Sequence, residues 1–354
     1  MKKILCVVFS LLIFMLSLSG CGKSLDNVTD EMFALDTIIR FTVYGSDKEL
    51  CKNTIDDCKA EIVRLENLLS AKKESSDIYK LNQAGGKAVG VSDETLTLIK
   101  NACEISEATD GAFDISIRPL MSVWGFDTKE YKVPTDEEIT KALSNVGYEN
   151  IITNGNEVTI KDGMAVDLGA IAKGYIGDKV RDILNESSVY SAIVDMGGMI
   201  ITKGDGKSED DLFWNIGLQY PDDKGDCFFT FDCSFDAIST SGAYQRYFES
   251  GKVKYHHIID RKTGKPSNSD ISSVTVIGDL GFESDALSTA FFVMGIDKTI
   301  DYVNTHKNAT GDRYQLIIMS SDMKTLYLSE EFKTRNLNYE ILAPYNKGIE
   351  IVYI

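Results

Sequence analysis

A mixed α+β fold, rather than a doubly wound α/β sheet, is predicted by three features of this 354-residue chain. Runs of period two and runs of helical spacing both recur, in no regular strand–helix alternation. Several β-type runs adjoin across glycine-containing turns. No GxGxxG follows a strand and no GxxxxGK[ST] occurs, so the two common nucleotide loops are missing. Apolar residues make up 43% of the chain, enough for a sizeable core in one or two domains, and the 26% of charged residues is ordinary for a globular protein.

In chain order, residues 22–31 are polar and read as a tether. FALDTIIRFTVYG (33–45) reads as one strand, with alternating and β-branched apolar residues. From Asp47 to about Ala71, the residues Leu50, Cys51, Ile55, Cys58, Ile62, Leu65 and Leu69 follow helical spacing, with Ser46 as the cap. A second helix follows Ser92, with Leu96, Ile99, Cys103 and Ile105 inward and Gly111 past its end. PTDEEITKALSNVG is a third, opened by a Thr135–Glu138 capping box and stopped at Gly147. IITNGNEVTI is a hairpin about Asn154-Gly155. AVDLGAIAKGYIGDKVRDILNE runs from a short strand into a helix, and SAIVDMGGMIITKG is two strands meeting at a glycine pair. FWNIGLQY, CFFTFDCSFDAIST, SSVTVIG, QLIIMS and TLYLS continue the β pattern, and DALSTAFFVMG is a compact apolar helix.

The first residues read as a targeting segment. Lys2 and Lys3 precede the apolar run ILCVVFSLLIFML, and LSGC ends at Cys21, a pattern similar to a bacterial lipoprotein signal. It predicts a signal peptide over residues 1–20, lipidation of Cys21, a tether over 21–31 and a globular unit over 32–354, with one or two subdomains. The mature protein is then lipid-anchored at the extracytoplasmic face of the cell membrane. An uncleaved N-terminal helix is the other reading. No later apolar run is long enough to span a bilayer. The net charge of −17, or −19 without Lys2 and Lys3, argues against nucleic acid as a partner. A small anionic ligand would need local cations or a metal. Five cysteines follow the signal: Cys51, Cys58, Cys103, Cys227 and Cys233. None forms a CxxC pair, so no zinc cluster is expected. Cys51 and Cys58 share a helix face and read as buried thiols; a disulfide stays open.

Four segments set polar groups and glycines in apolar surroundings. In DLGAIAKGY, Asp167 precedes a turn in which Gly169 and Ala170 allow close backbone approach, and Lys173 opens a helix whose free N–H groups suit a phosphate. An ordinary turn with a capping aspartate explains the same residues. In ESDALSTA, Asp285 and Thr289 stand four apart on one helical face, a carboxylate and a hydroxyl suited to Mg²⁺. A capping aspartate and a threonine bonding its own helix would look alike. GAFDISIRPLMSVWGF offers Trp124, Gly125 and Phe126 as an aromatic surface for a planar ring, or as a core corner, beside the charges of Asp114 and Arg118. AISTSGAYQRYFESGKVKYHHIIDRKTGKP places His256 and His257 on opposite faces of a strand, so only one can meet a pocket.

Taken together, FALDT, GAFDISIRPL…WGF, DLGAIAKGY, VDMGGMI, STSGAYQRYF, HHIIDRKTGKP and DALSTAFFVMG resemble the ApbE family of FAD:protein FMN transferases, in the family's order from about residue 33 to 296. The resemblance implies mixed sheets flanked by helices with FAD in a central cleft. It implies transfer of FMN from FAD to a threonine hydroxyl of an acceptor flavoprotein, through a phosphoester, with Mg²⁺ and release of AMP. The implied acceptor carries a motif like Asp-Gly-x-Ser/Thr-Gly-Ala-Thr, which this chain lacks. By the same resemblance Leu35, Trp124, Gly125, Phe126, Asp167, Lys173 and Ile259 contact FAD. Ala170, through its carbonyl, and Asp285 and Thr289 hold the metal; His257 and Asp285 are catalytic, and His256 is a bystander. This chain departs from the family pattern in having Leu35-Asp36-Thr37 for Met-Gly-Thr, Met199 for an asparagine and Arg261 for a proline. Two other readings stay open: a Mg²⁺-dependent FAD pyrophosphatase giving FMN and AMP, and a flavin-binding lipoprotein without enzymatic activity.

Overall fold

The structure, a computed structural model, describes residues 25–204, 206–207, 213–222, 224–233, 237–306, 314–334 and 337–354; the expected signal peptide and Cys21 lie outside them. Nine strands form one sheet whose spatial order follows the chain. They are β1 (Asp26–Ala34), β2 (Thr37–Gly45), β3 (Ser191–Asp195), β4 (Met199–Lys203), β5 (Ala237–Gly242), β6 (Ile271–Gly278), β7 (Gln315–Ser320), β8 (Thr325–Leu328) and β9 (Glu350–Tyr353). All neighbours are antiparallel except β8 and β9. The helices among the described residues are α1 (Lys48–Leu69), α2 (Asp77–Asn82), α3 (Asp93–Ala108), α4 (Arg118–Trp124), α5 (Asp136–Leu143), α6 (Ala172–Glu186), α7 (Gly281–Met294), α8 (Ile296–Thr305) and α9 (Glu331–Thr334). The expected α+β class is therefore what the chain adopts.

Alternation along the strands assigns the two faces. Ala237, Val274 and Val276 join one core with α1, α3, α6 and α7, whereas Ile238 and Ile277 join a second. That second core lies under a three-stranded antiparallel sheet of Trp214–Gln219, Cys227–Cys233 and Tyr339–Ile341. Helix α7 has apolar residues all round because it is enclosed: Ala286, Leu287, Ala290, Phe291 and Phe292 are all buried. Each large side chain among them contributes roughly 1.5–3 kcal/mol of burial.

Helices α6 and α7 cross at two facing glycines. A Cβ on Gly174 would overlap the Gly281 carbonyl, and one on Gly281 would lie 3.0 Å from Asp178 Oδ1. The contact lets each helix cap the other. Asp178 of α6 accepts the Gly281 and Phe282 N–H groups at the start of α7, at 2.7 and 3.0 Å. Asp285 of α7 accepts the Gly174 N–H in the first turn of α6 at 3.0 Å. Each carboxylate meets the electropositive end of the other helix. Burial, with the Asp182 charge nearby, pushes the Asp178 carboxyl above its usual range against the two N–H bonds and Arg181.

Several elements differ from expectation. FALDTIIRFTVYG is not one strand: β1 and β2 are a hairpin around Leu35-Asp36, both with positive φ, 54° and 59°. Such a turn favours Asn-Gly, and Leu-Asp carries no such signal. Strand β1 begins at Asp26, so most of the described part of the expected tether belongs to the sheet. Asp47, not Ser46, caps α1, accepting the Leu50 N–H at 2.8 Å; Ser46 donates to Asp47 instead. Helix α2, capped by Ser76, went unmarked by the sequence. The capping box of α5 forms, but the helix stops at Leu143, before Gly147. The hairpin turn is Gly155-Asn156, one residue later than expected. Residues before Asp167 form no strand: the Asn82 side chain imitates one, accepting from Val166 N at 2.7 Å and donating to its carbonyl at 2.8 Å. Cys51, Cys58 and Cys233 are buried, and all five described cysteines are free. Burial pushes the Cys58 thiol up to about 12.

Candidate active site

A cavity of about 1120 Å³ opens where the β1–β2 turn, the end of α1, the Asp167–Lys173 loop and α7 converge. Of the residues singled out from sequence, Leu35, Phe126, Asp167, Ala170, Lys173, His257, Ile259, Asp285 and Thr289 all line it. Trp124 and Gly125 do not. Trp124 is 2% exposed and donates its indole N–H to the Gly264 carbonyl at 2.9 Å, so it is a core aromatic. Gly125 ends α4 in the left-handed region (φ 78°) against the Glu130 backbone. Of the three residues expected as a flavin-side surface, only Phe126 lines the cavity.

Asp285 is 4% exposed yet reaches the cavity. Besides Gly174 N it accepts from Ser239 Oγ at 3.2 Å, and Lys173 Nζ lies 3.4 Å from its Oδ1. Thr289 follows one turn later, its hydroxyl 3.4 Å from Ser241 Oγ. Ser239 and Ser241 project from β5, whose alternation aims both at α7. The Gly174 N–H, which a longer helix would give to the Ala170 carbonyl, goes to Asp285. Carboxylate, hydroxyl and carbonyl oxygens on one cavity wall are a hard-donor set that suits Mg²⁺ completed by substrate phosphate oxygens and water. Among the described residues no group of three or more His, Cys, Asp or Glu side chains gathers as an all-protein metal cage.

Asp167 is held by its own turn and by a cation. Its Oδ1 accepts the Gly169 N–H at 2.8 Å, and Oδ2 accepts from Arg118 at 3.0 Å. The Leu35 N–H donates to Glu66 Oε1 at 3.0 Å, and Lys72 pairs with Asp36 at 2.9 Å, which fixes the strained turn to the end of α1. Sequence reasoning missed Glu66 and Lys72: a glutamate in the last turn of a helix and a lysine just past it look like a solvated helix end.

The two histidines separate. His256 closes a strand (Val253–His256), donates Nε2–H to the Ser267 carbonyl at 3.0 Å and packs edge-on against Phe292. His257 lines the cavity, its Nδ1 3.0 Å from the Arg246 carbonyl. A carbonyl only accepts, so Nδ1 carries the proton and Nε2 is the basic nitrogen. Burial, with the Arg246 cation nearby, lowers the His257 pKa to about 4, so the ring is neutral at pH 7. Arg261, at the family's proline position, bonds Asp114 at 2.6 Å and Glu149 at 2.7 Å, tying the histidine loop to the segment before α4.

The family model described as ApbE family matches residues 35–311. The chain belongs to the ApbE family. A protein named FAD:protein FMN transferase from Vibrio cholerae is 30% identical over 329 residues, covering 90% of this chain and 96% of its own length. One of the same name from Treponema pallidum is 34% identical, covering 66% of this chain and 69% of its own. An ApbE protein crystal structure from Thermotoga maritima, 33% identical, superposes with a TM-score of 0.78 over 87% of this chain and 98% of its own. The flavin transferase ApbE from Vibrio cholerae, 25% identical, reaches a TM-score of 0.73 over 92% of this chain and all of its own. As a member of this family the chain keeps the ApbE architecture of mixed sheets and flanking helices.

Proposed function

We propose that this ApbE family enzyme is an FAD:protein FMN transferase that moves FMN from FAD to a threonine hydroxyl of an acceptor flavoprotein. A phosphoester forms, the diphosphate P–O bond to AMP breaks, and Mg²⁺ is required. Flavin transfer is what its relatives are named for. The observation that carries the reading is one cavity of about 1120 Å³ shared by Asp285, Thr289, the Asp167–Lys173 loop and His257. Its volume exceeds the ~300–1,000 Å³ usual for small-ligand pockets, as an extended dinucleotide requires.

Asp285, Thr289 and the Ala170 carbonyl would hold Mg²⁺, which when bound supplies charge neutralisation at the diphosphate and leaving phosphate. The chain's own groups do the rest. Lys173 and the positive dipole end of α6 bring positive potential to the diphosphate in a protein of net charge −17. That reverses the local sign. His257, neutral and held by Arg246, offers Nε2 to the threonine proton, a role typically worth ~10²–10⁴-fold in rate. A diphosphate anion beside the ring raises its pKa from the depressed value of the free cavity and strengthens the base. Lipidation of Cys21 and residence on the extracytoplasmic membrane face are part of the same proposal, since a membrane-bound enzyme meets membrane flavoproteins. Retention of a Cys21→Ala protein in the membrane fraction would count against the anchor.

The test incubates the protein with FAD, Mg²⁺ and an acceptor domain bearing an Asp-Gly-x-Ser/Thr-Gly-Ala-Thr segment, followed by intact-mass spectrometry. Addition of one FMN to the acceptor, with AMP in solution, is expected. Free FMN and AMP with an unmodified acceptor would mean hydrolysis, and no AMP at all would leave only binding.

A further inference from the structure

Two polar atoms in the cavity wall lack partners, and they are of opposite kind. Asp127 Oδ1 and Arg246 Nη2 are both buried with no hydrogen-bond partner, and both residues line the cavity. The other Asp127 oxygen is satisfied: Oδ2 accepts from Ser122 Oγ at 2.6 Å and lies 3.7 Å from Arg118 Nη2. A buried ionic group left unmatched is costly. A donor and an acceptor left open in one cavity therefore mark where a ligand supplies the complements. Their setting restricts its shape. Phe126 precedes Asp127, is fully buried, and has its ring centroid 5.8 Å from the Arg246 guanidinium carbon. Ile117, Met121 and Ile259 add apolar wall to the same cavity. A carboxylate seeking a donor and a guanidinium seeking an acceptor, beside an apolar wall, match the edge of a planar heterocycle in which a ring N–H adjoins a carbonyl.

We infer that Asp127 and Arg246 recognise the pyrimidine edge of the flavin ring, with N3–H donating to Asp127 Oδ1 and a carbonyl oxygen flanking N3 accepting from Arg246 Nη2. The inference rests on the proposed function, because it takes the cavity to be an FAD site. FAD has other edges of this type on adenine, the amine beside N1 or beside N7. A carbonyl oxygen with two lone pairs is the better partner for a cation than a ring nitrogen. The flavin is also the half that must stay bound while AMP leaves. Arg246 suits that task, because its carbonyl accepts from both His257 Nδ1 and the His257 backbone N–H, at 3.0 and 3.1 Å. The residue that reads the flavin thus also orients the proton acceptor.

The test measures binding of FMN, N3-methyl-FMN and ADP by titration calorimetry, with Mg²⁺ present. Methylation removes the one proton that Asp127 accepts. Wild-type protein is expected to bind N3-methyl-FMN ~10- to 100-fold more weakly than FMN. In Asp127→Ala the difference between the two flavins disappears, while ADP affinity stays within about twofold. Equal affinity of wild-type protein for FMN and N3-methyl-FMN would overturn the inference and leave the proposed function standing. Greater weakening of ADP than of FMN by Asp127→Ala would put adenine at the pair and also overturn it. Absence of any FMN or FAD binding would overturn both readings. The wild-type comparison needs no variant, so a misfolded Asp127→Ala protein offers the inference no shelter.

Discussion

Replacing Gly174 by alanine tests the crossing on which the cavity depends. A Cβ there overlaps the Gly281 carbonyl and comes to 2.8 Å of Asp285 Cβ, where ordinary contact begins at 3.4 Å. The obstacles are backbone and the root of a buried side chain, not the end of a flexible one. The helices must then part by at least about 0.6 Å, which stretches the 3.0 Å bond from Gly174 N to Asp285 past hydrogen-bonding range. Overpacking costs ~1–3 kcal/mol and the lost bond to a buried carboxylate another ~1–3 kcal/mol, about 2–6 kcal/mol together. Gly177, on the same helix, is the control. Its Cβ would meet side chains and no backbone, Ile201 Cγ1 at 2.7 Å and Met196 Sδ at 3.7 Å, so ~1–3 kcal/mol of overpacking is offset by the ~1 kcal/mol of helix propensity that alanine regains. Thermal unfolding followed by the fluorescence of the buried Trp124 and Trp214 reads both variants. At roughly 2 °C per kcal/mol for a chain of this size, Gly174→Ala should melt ~4–12 °C lower and Gly177→Ala within ~4 °C of wild type. A Gly174→Ala protein that melts with the wild type, or a Gly177→Ala protein just as damaged, refutes the close-crossing argument.

Three further outcomes are expected. Asp285→Asn should abolish the rise in melting temperature that Mg²⁺ gives with FAD and lower flavin transfer at least ~100-fold, with ~1–3 kcal/mol of apo stability lost because an amide keeps only one of the two acceptor oxygens; an undiminished Mg²⁺ response would remove Asp285 from the metal site. The folded His257 ring has its pKa lowered to about 4 while the unfolded value is near 6.5, so the unfolded chain binds more protons between these values. Its neutral form is accommodated in full above pH 6.5, and stability is lost as pH falls toward 4. His256, also lowered by burial, contributes to the same slope. His257→Gln should flatten but not remove the decline in urea stability over that window, and an unchanged slope would contradict the buried neutral ring. Trp124→Phe should cost ~1–2 kcal/mol through the lost bond to the Gly264 carbonyl, yet leave FAD affinity within about twofold; a large loss of affinity would return Trp124 to the flavin site.

What could be read from sequence was whatever neighbours along the chain determine. Thr135 and Glu138 form their capping box because both partners lie within one turn. Asp285 and Thr289 share a face because helical geometry places residues four apart together. Cys51 and Cys58 are buried because α1 has a single apolar stripe. The β1–β2 turn was illegible because Leu35-Asp36 adopts a conformation its side chains do not favour, held by Glu66 and Lys72 from thirty residues or more downstream. The burial of Trp124 was illegible for the same kind of reason: an aromatic beside a glycine suits a ligand or a core equally, and a carbonyl 140 residues away holds its indole in the core. The meeting of α6 with α7 belongs wholly to the tertiary structure. Gly174 and Asp285 are 111 residues apart, and neither residue type announces the other. Short-range rules carry backbone propensity and periodicity. The pairing of buried charges, the aim of a side chain and the enclosure of a cavity arise only when distant surfaces exclude water from one another.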